Sequence, residues 1–256
     1  MGKERGTRTP AGHRTDADPD VGRAVANLVY SAKVFVAARP AFAVVTARAR
    51  RPNLALRRDT DVVIEGFPKS ANSFVTHAFR MPQDRPLKIT HHTHAAGVVI
   101  TACRRRIPAL VLIRQPLDAA SRIALVRPHI SLRLLLRGWI SFYRPLLPWQ
   151  GRFAVGSFEE VTNDLGAVMT AMNERLGTRF VPFEHTPENE QEAFRAMEDD
   201  WATRIDPTEL SHELNVGRPS PDRDALTEDI LAKLRSVPYE PLRAEASYLY
   251  SQIAGG

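Results

Sequence analysis

Nineteen residues, Asp61 to Phe79, constrain this chain more than any others. Val62, Val63 and Ile64 form a short β-branched run of the kind carried by a strand buried on both faces. Gly66 and Pro68 then interrupt extended structure, and Phe74, Val75, Ala78 and Phe79 recur at helical spacing. Ser70, Asn72 and Ser73 supply N-cap chemistry where that helix begins. The stretch reads as strand, tight loop, helix. A helix N-terminus presents unpaired N–H groups and the positive end of a dipole, and Lys69 adds a formal charge. A loop of this kind suits a multiply charged anion.

Strands alternate with helices around that unit. Residues 1–20 are polar and rich in Gly, Pro, Thr and Arg, the composition of a disordered tail. Val21 to Ala38 predicts a helix that Pro40 stops, and Ala41 to Arg50 a second, so 21–58 forms an N-terminal helical segment. A domain over 59–256 follows. Leu87 to Thr90 predicts a strand running into His91-His92-Thr93-His94, and Ala95 to Arg105 a helix. Ala109 to Ile113 is the clearest buried strand, followed at once by Arg114 and by Pro116 at a helix start. Ser131 to Leu147 predicts a very apolar helix, and Phe153 to Val155 a further strand. Val161, Leu165, Val168, Met169, Met172 and Leu176 share one helical face that Gly177 ends. Helices are expected near 188–203, 222–234 and 238–253. The predicted class is α/β, a central parallel β-sheet flanked by helices with a helical C-terminal part. Ligands bind beyond the carboxyl ends of strands in such sheets. Lys69-Ser70, His91 to His94 and Arg114 to Arg122 all fall at those ends.

Composition narrows the reading. The 256 residues are 43% hydrophobic and carry a net charge of +6, which suits anionic ligands without singling out nucleic acid. The single cysteine, Cys103, excludes an intrachain disulfide and a cysteine metal cluster; it is expected in the core, in a reducing, cytoplasmic setting. The first 23 residues lack the pattern of a secretory signal. Ala24 to Ala47 is apolar-rich but broken by Lys33, Arg39 and Pro40, which rules against a spanning helix. It is expected to pack on the domain, with peripheral contact to an anionic membrane as the alternative.

Pro68-Lys69-Ser70-Ala71-Asn72-Ser73-Phe74 lacks the second glycine of a Walker A loop. It resembles the 5′-phosphosulfate loop of PAPS-dependent sulfotransferases, roughly Pro-Lys-Ser-Gly-Thr-Thr-Trp. Ala71 stands for the glycine, Asn72 and Ser73 for the threonines, and Phe74 for the tryptophan. Arg114-Gln115-Pro116-Leu117-Asp118 resembles the family's 3′-phosphate motif, an arginine closing a strand and then x-Pro-x-Asp. The family places a serine eight residues after that arginine; here Arg122 stands there and Ser121 one residue earlier. Lys88-Ile89-Thr90-His91 resembles the family's Lys-Thr-His with one residue inserted. His91 is thereby implied as general base, with His92 and His94 as competitors and a zinc site as the rival use of the cluster. The segment from Ser157 to Val161 resembles one whose aromatic contacts adenine, which implicates Phe158 as well as Phe74. Val216 to Ser220 stands where the family has a late basic loop, with Arg218 and Arg223 as the candidate cations.

The resemblance covers residues 61–220. It implies a sulfotransferase/P-loop-like fold, PAPS as co-substrate and PAP as product, no metal, and a small-molecule, glycan or lipid acceptor. Lys69 and His91 would be catalytic. Two alternatives stay open: a small-molecule kinase with a divergent phosphate loop, and a non-catalytic nucleotide-binding or membrane-surface protein.

Overall fold

Four parallel strands carry the fold, the two inner ones formed on the aliphatic runs Val62–Ile64 and Ala109–Ile113. In the computed structural model, which describes residues 19–202 and 221–255 apart from 51 and 53, they are β1 (Val62–Gly66), β2 (Ile89–His91), β3 (Ala109–Ile113) and β4 (Ala154–Ser157). Their order is β2-β1-β3-β4. Val62 pairs with Ile89, Val63 with Ala109 and Leu110 with Ala154. The inner strands are buried along their whole length. Side chains alternate as the pleat requires. Ala109, Val111 and Ile113 enter one core, and Leu110 and Leu112 the other.

Helices cover both faces. One core lies beneath α1 (Pro19–Ala37), α2 (Pro40–Arg50), α4 (Ala96–Arg105), α5 (Pro116–Val126) and α6 (Leu132–Tyr143). The other lies beneath α3 (Asn72–Arg80), α8 (Leu165–Leu176) and α9 (Pro187–Ala202). The short α7 (Phe158–Asn163) follows β4, and α10 (Pro221–Arg235) and α11 (Glu240–Ala254) close the chain. The expected α/β class is the class observed. The apolar face from Val161 to Leu176 does not belong to one helix. Asp164 ends α7 at φ −152° and caps α8, its side chain accepting the Ala167 N–H. An apolar period survives such a break, so periodicity alone did not reveal it. The apolar helix after Ser131 also ends early, at Tyr143, and Arg144–Trp149 continues as a 3₁₀ turn.

The N-terminal helices share the domain's core. Tyr30, Ala43 and Leu56 are buried in the same cluster as Val111 and Trp139. α1 lies close on α6: a Cβ at Gly138 would meet the Tyr30 hydroxyl at 2.5 Å. The predicted tail before residue 19 and residues 203–220, with the expected phosphate cation Arg218, lie outside the described residues.

Candidate functional site

The chain leaves β1 toward β2 and leaves β3 toward β4, so the connections after β1 and β3 diverge. A crevice opens at such a switch point, beyond the strand ends. Both basic motifs flank it. Gly66 lets the two strands close up there, because a Cβ would meet Leu112 O at 2.5 Å.

The loop after β1 is wound by two left-handed residues, Lys69 at φ 70° and Ala71 at φ 62°. Asn72 Nδ2 ties the loop back by donating to Phe67 O at 3.1 Å. Ala71 is the N-cap of α3, and no side chain caps that helix. The expectation that Ser70, Asn72 or Ser73 would serve as cap is therefore corrected. Loop closure through Phe67 engages Asn72, and the alanine has no oxygen to offer. The first turn of α3 holds no acidic residue. No carboxylate within that turn offsets its N–H groups and its dipole.

Arg114 closes the other side. Its Nη1 donates to Lys69 O at 3.1 Å, and its guanidinium lies 3.7 Å from the centre of the Phe158 ring. The structure thus brings Lys69, Arg114 and Phe158 together from beyond the ends of three strands, β1, β3 and β4. α6 braces them from behind. Trp139 Nε1 donates to Arg114 O at 3.1 Å. The Tyr143 hydroxyl donates to Leu112 O at 2.7 Å and accepts the Phe67 N–H at 3.2 Å. Burial pushes the Tyr143 hydroxyl pKa well up, which keeps it a donor. Ser70 Oγ is buried against that hydroxyl without a bond of normal geometry.

Other expected contacts are placed differently. Phe74 does not face the crevice: it is buried against Phe183 and Phe194, with ring centroids 6.4 and 5.2 Å away, so its ring is spent on packing. Ser121 is fully buried and its hydroxyl bonds Asp118 O within its own helix at 2.9 Å. Arg122, the next residue along α5, is half-buried. Pro68 lies half-buried in the loop, directly before Lys69.

The histidines form an ordered chain beside the loop. Arg80 Nη2 lies 3.1 Å from His91 Nε2, and a guanidinium only donates, so that nitrogen holds a lone pair. His91 Nδ1 then carries the proton and donates to His92 Nδ1 at 2.5 Å. His92 Nε2 in turn carries its proton and donates to Ser73 Oγ at 3.0 Å. These tautomers are assigned from the partners. Ser73, in the first turn of α3, is left with its own O–H to point elsewhere. His91 is 2% exposed, and the nitrogen with the lone pair is covered by a cation. That burial and that cation disfavour His91 as the group that takes a proton from an acceptor.

His94 is set differently. Its Nδ1 faces Gly66 O at 2.9 Å and must donate to it, which places the basic lone pair on Nε2. A fully buried carboxylate holds that loop: Glu65 accepts the Thr93 N–H at 2.7 Å and the His94 N–H at 2.9 Å. Of the five non-glycine residues at positive φ among those described, Lys69, Ala71, His92 and His94 lie at this one end of the sheet. Backbone strain of that kind concentrates at functional sites. Sequence reading gave no role to Glu65 or Arg80, and it offered Trp139 and Tyr143 as walls of an acceptor pocket or ordinary core, not as braces of the two loops. The one local signal was an acidic residue inside a buried strand, where a charge must find partners. Among the described residues, no group of three or more His, Cys, Asp or Glu side chains is arranged to hold a metal ion.

No protein-family model and no curated protein matches the chain. Among solved structures it is similar to mouse sulfotransferase SULT7A1 complexed with PAP, over 82% of this chain and 93% of that one. Sequence identity is 13% and the TM-score 0.41. Agreement that loose carries no weight for fold or function, which rest on the residues above.

Proposed function

We propose that the protein is a PAPS-dependent sulfotransferase, moving a sulfuryl group to a hydroxyl or amine of a small-molecule, glycan or lipid acceptor. One observation carries this reading: the uncapped start of α3 at Lys69-Ala71 faces Arg114 across one crevice, and Arg114 is tied to the loop at Lys69 O. A helix start and an arginine joined in this way at the end of the sheet suit a nucleotide with phosphates at both its 5′ and 3′ positions. Lys69, Ser70, Ala71, Asn72 and Ser73 would hold the phosphosulfate through backbone N–H groups, the lysine and two hydroxyls, and Pro68, which has no N–H to give, would set the turn before them. Arg114, with Arg122 eight residues further on, would take the 3′-phosphate, and Phe158 would support the guanidinium.

The acceptor oxygen or nitrogen attacks sulfur in line. The bond from sulfur to the 5′-phosphate oxygen breaks, and its electron pair stays on the phosphate. Lys69 and the N–H groups of α3 stabilise that growing charge. His94 Nε2 takes the acceptor's proton, in place of the buried His91. Positioning and electrostatics supply most of the rate.

PAP is expected to bind and raise the melting temperature. At a hundredfold excess over Kd, binding to the native state alone adds about 2.7 kcal/mol of stability. Magnesium-ATP, which lacks the 3′-phosphate, is expected to shift it much less. A larger shift with magnesium-ATP than with PAP overturns this reading and favours the kinase.

A further inference from the structure

Helix α1 is apolar on two sides. Its inner side is accounted for: Tyr30 is buried against Gly138, Asn27 Oδ1 accepts the Ser131 N–H at 3.0 Å, and Val34 and Ala37 pack on the core. Its outer side is bare. Val21, Val25, Leu28, Val29 and Phe35 are all more than half exposed, Leu28 at 71%. At about 100° per residue these five fall on a single stripe about 120° wide. On α2, Phe42 and Val45 are similarly exposed. Scattered exposed apolar residues are ordinary, but a contiguous stripe marks a contact surface.

Charge decides what the stripe meets. Residues 1–58 hold 12 Lys and Arg against four acidic residues, whereas residues 59–256 hold 23 against 25. The whole positive excess lies on the segment that bears the stripe. The Arg39 guanidinium sits 3.2 Å from the centre of the Phe35 ring and its Nη1 donates to Phe35 O at 2.8 Å, so a cation lines the stripe's edge. A second copy docking here would bring two strongly basic segments together. Residues 2–18 contain no Val, Leu, Ile or aromatic residue with which to cover it.

We propose that the outer face of α1 docks on an anionic lipid bilayer. The helix lies in the headgroup plane, with Leu28 and Phe35 at the acyl boundary and Lys33 and Arg39 at the level of the lipid phosphates. It does not span. Among the described residues no single helix is long and apolar enough to cross a membrane, and α1 and α2 pass that test only as a pair bent by 115°. The inner face of α1 is in any case committed to the domain.

The full chain is to be sedimented with vesicles of phosphatidylcholine alone and of phosphatidylcholine with phosphatidylglycerol. Pelleting is expected with the anionic vesicles and is expected to weaken as salt rises. The double variant Leu28→Asp, Phe35→Ser is expected to lower partitioning by more than about tenfold, with an unchanged circular-dichroism melt because both side chains are exposed. Val29→Glu serves as a second, single-site variant. Absence of pelleting on anionic vesicles, or full pelleting of both variants, overturns the proposal. So does a lipid-free dimer that Leu28→Asp makes monomeric, because the stripe is then an interface between copies. None of these outcomes depends on PAP, so the proposal stands or falls apart from the sulfotransferase reading.

Discussion

Ala71 holds φ 62° and ψ 18°, a region that costs an L-residue about 1–2 kcal/mol. Glycine removes that cost but gives back part of it through a freer unfolded chain. Ala71→Gly is therefore expected to raise stability by up to about 1 kcal/mol in a thermal melt while leaving PAP affinity unchanged. The histidines separate in a different experiment. His94→Ala is expected to cut turnover by roughly 10²–10⁴-fold with PAP affinity nearly intact. His91→Ala removes the central link between Arg80 and His92, so it is expected to lower the melting temperature more than His94→Ala does. If His91→Ala abolishes turnover in a protein of normal stability, His94 is not the base. Glu65→Gln weakens two bonds made by a buried charge, for an expected cost of about 1.5–3 kcal/mol. It is also expected to lower turnover through His94 while sparing PAP.

Individual elements were readable to the extent that their cause was local. β1 and β3 were visible because β-branched and aliphatic residues run unbroken through Val62–Ile64 and Ala109–Ile113. The placement of Lys69 and Arg114 followed from those strand ends. The open start of α3 was not visible, because capping propensity points to Ser or Asn while loop closure sets the cap at Ala71. Nor were the α6 braces: Tyr143 reaches Leu112 O, 31 positions back, a contact that no window of sequence contains. The packing of α1 on α6 carries its own pH signature. Burial pushes the Tyr30 hydroxyl up to about 12, opposed in part by Arg127. A raised pKa favours the neutral phenol in the fold. Its stabilisation is full below about pH 10 and is lost as pH climbs toward 12, by roughly 2–3 kcal/mol. Burial also holds the Cys103 thiol at about 11, which adds a loss of the same sign. Tyr30→Phe is expected to flatten the alkaline limb of a stability–pH curve in part. An unchanged limb would mean that α1 leaves the domain before the phenol ionises.

Across the whole molecule, the N-terminal helices and the sheet belong to one core. Tyr30, Ala43 and Leu56 are buried with sheet residues, and the larger side chains among them contribute about 1.5–3 kcal/mol each. Their loss is a large share of the roughly 5–15 kcal/mol that holds a domain together. Deleting residues 1–58 is expected to leave a chain without a cooperative thermal transition. A truncated protein that melts sharply near the full-length temperature would show instead that 59–256 is self-sufficient. The strand order has one more consequence, which concerns time. No neighbouring pair in β2-β1-β3-β4 is joined by a hairpin: Val62 meets Ile89, Val63 meets Ala109, and Leu110 meets Ala154. Every pairing must close a long loop before any ladder bond rewards it, and β1 must secure neighbours on both sides. Nothing in this sheet forms early and locally to guide the rest. The chain therefore gathers slowly around β1 and β3, and in that interval its most apolar strands lie open to other chains still being made.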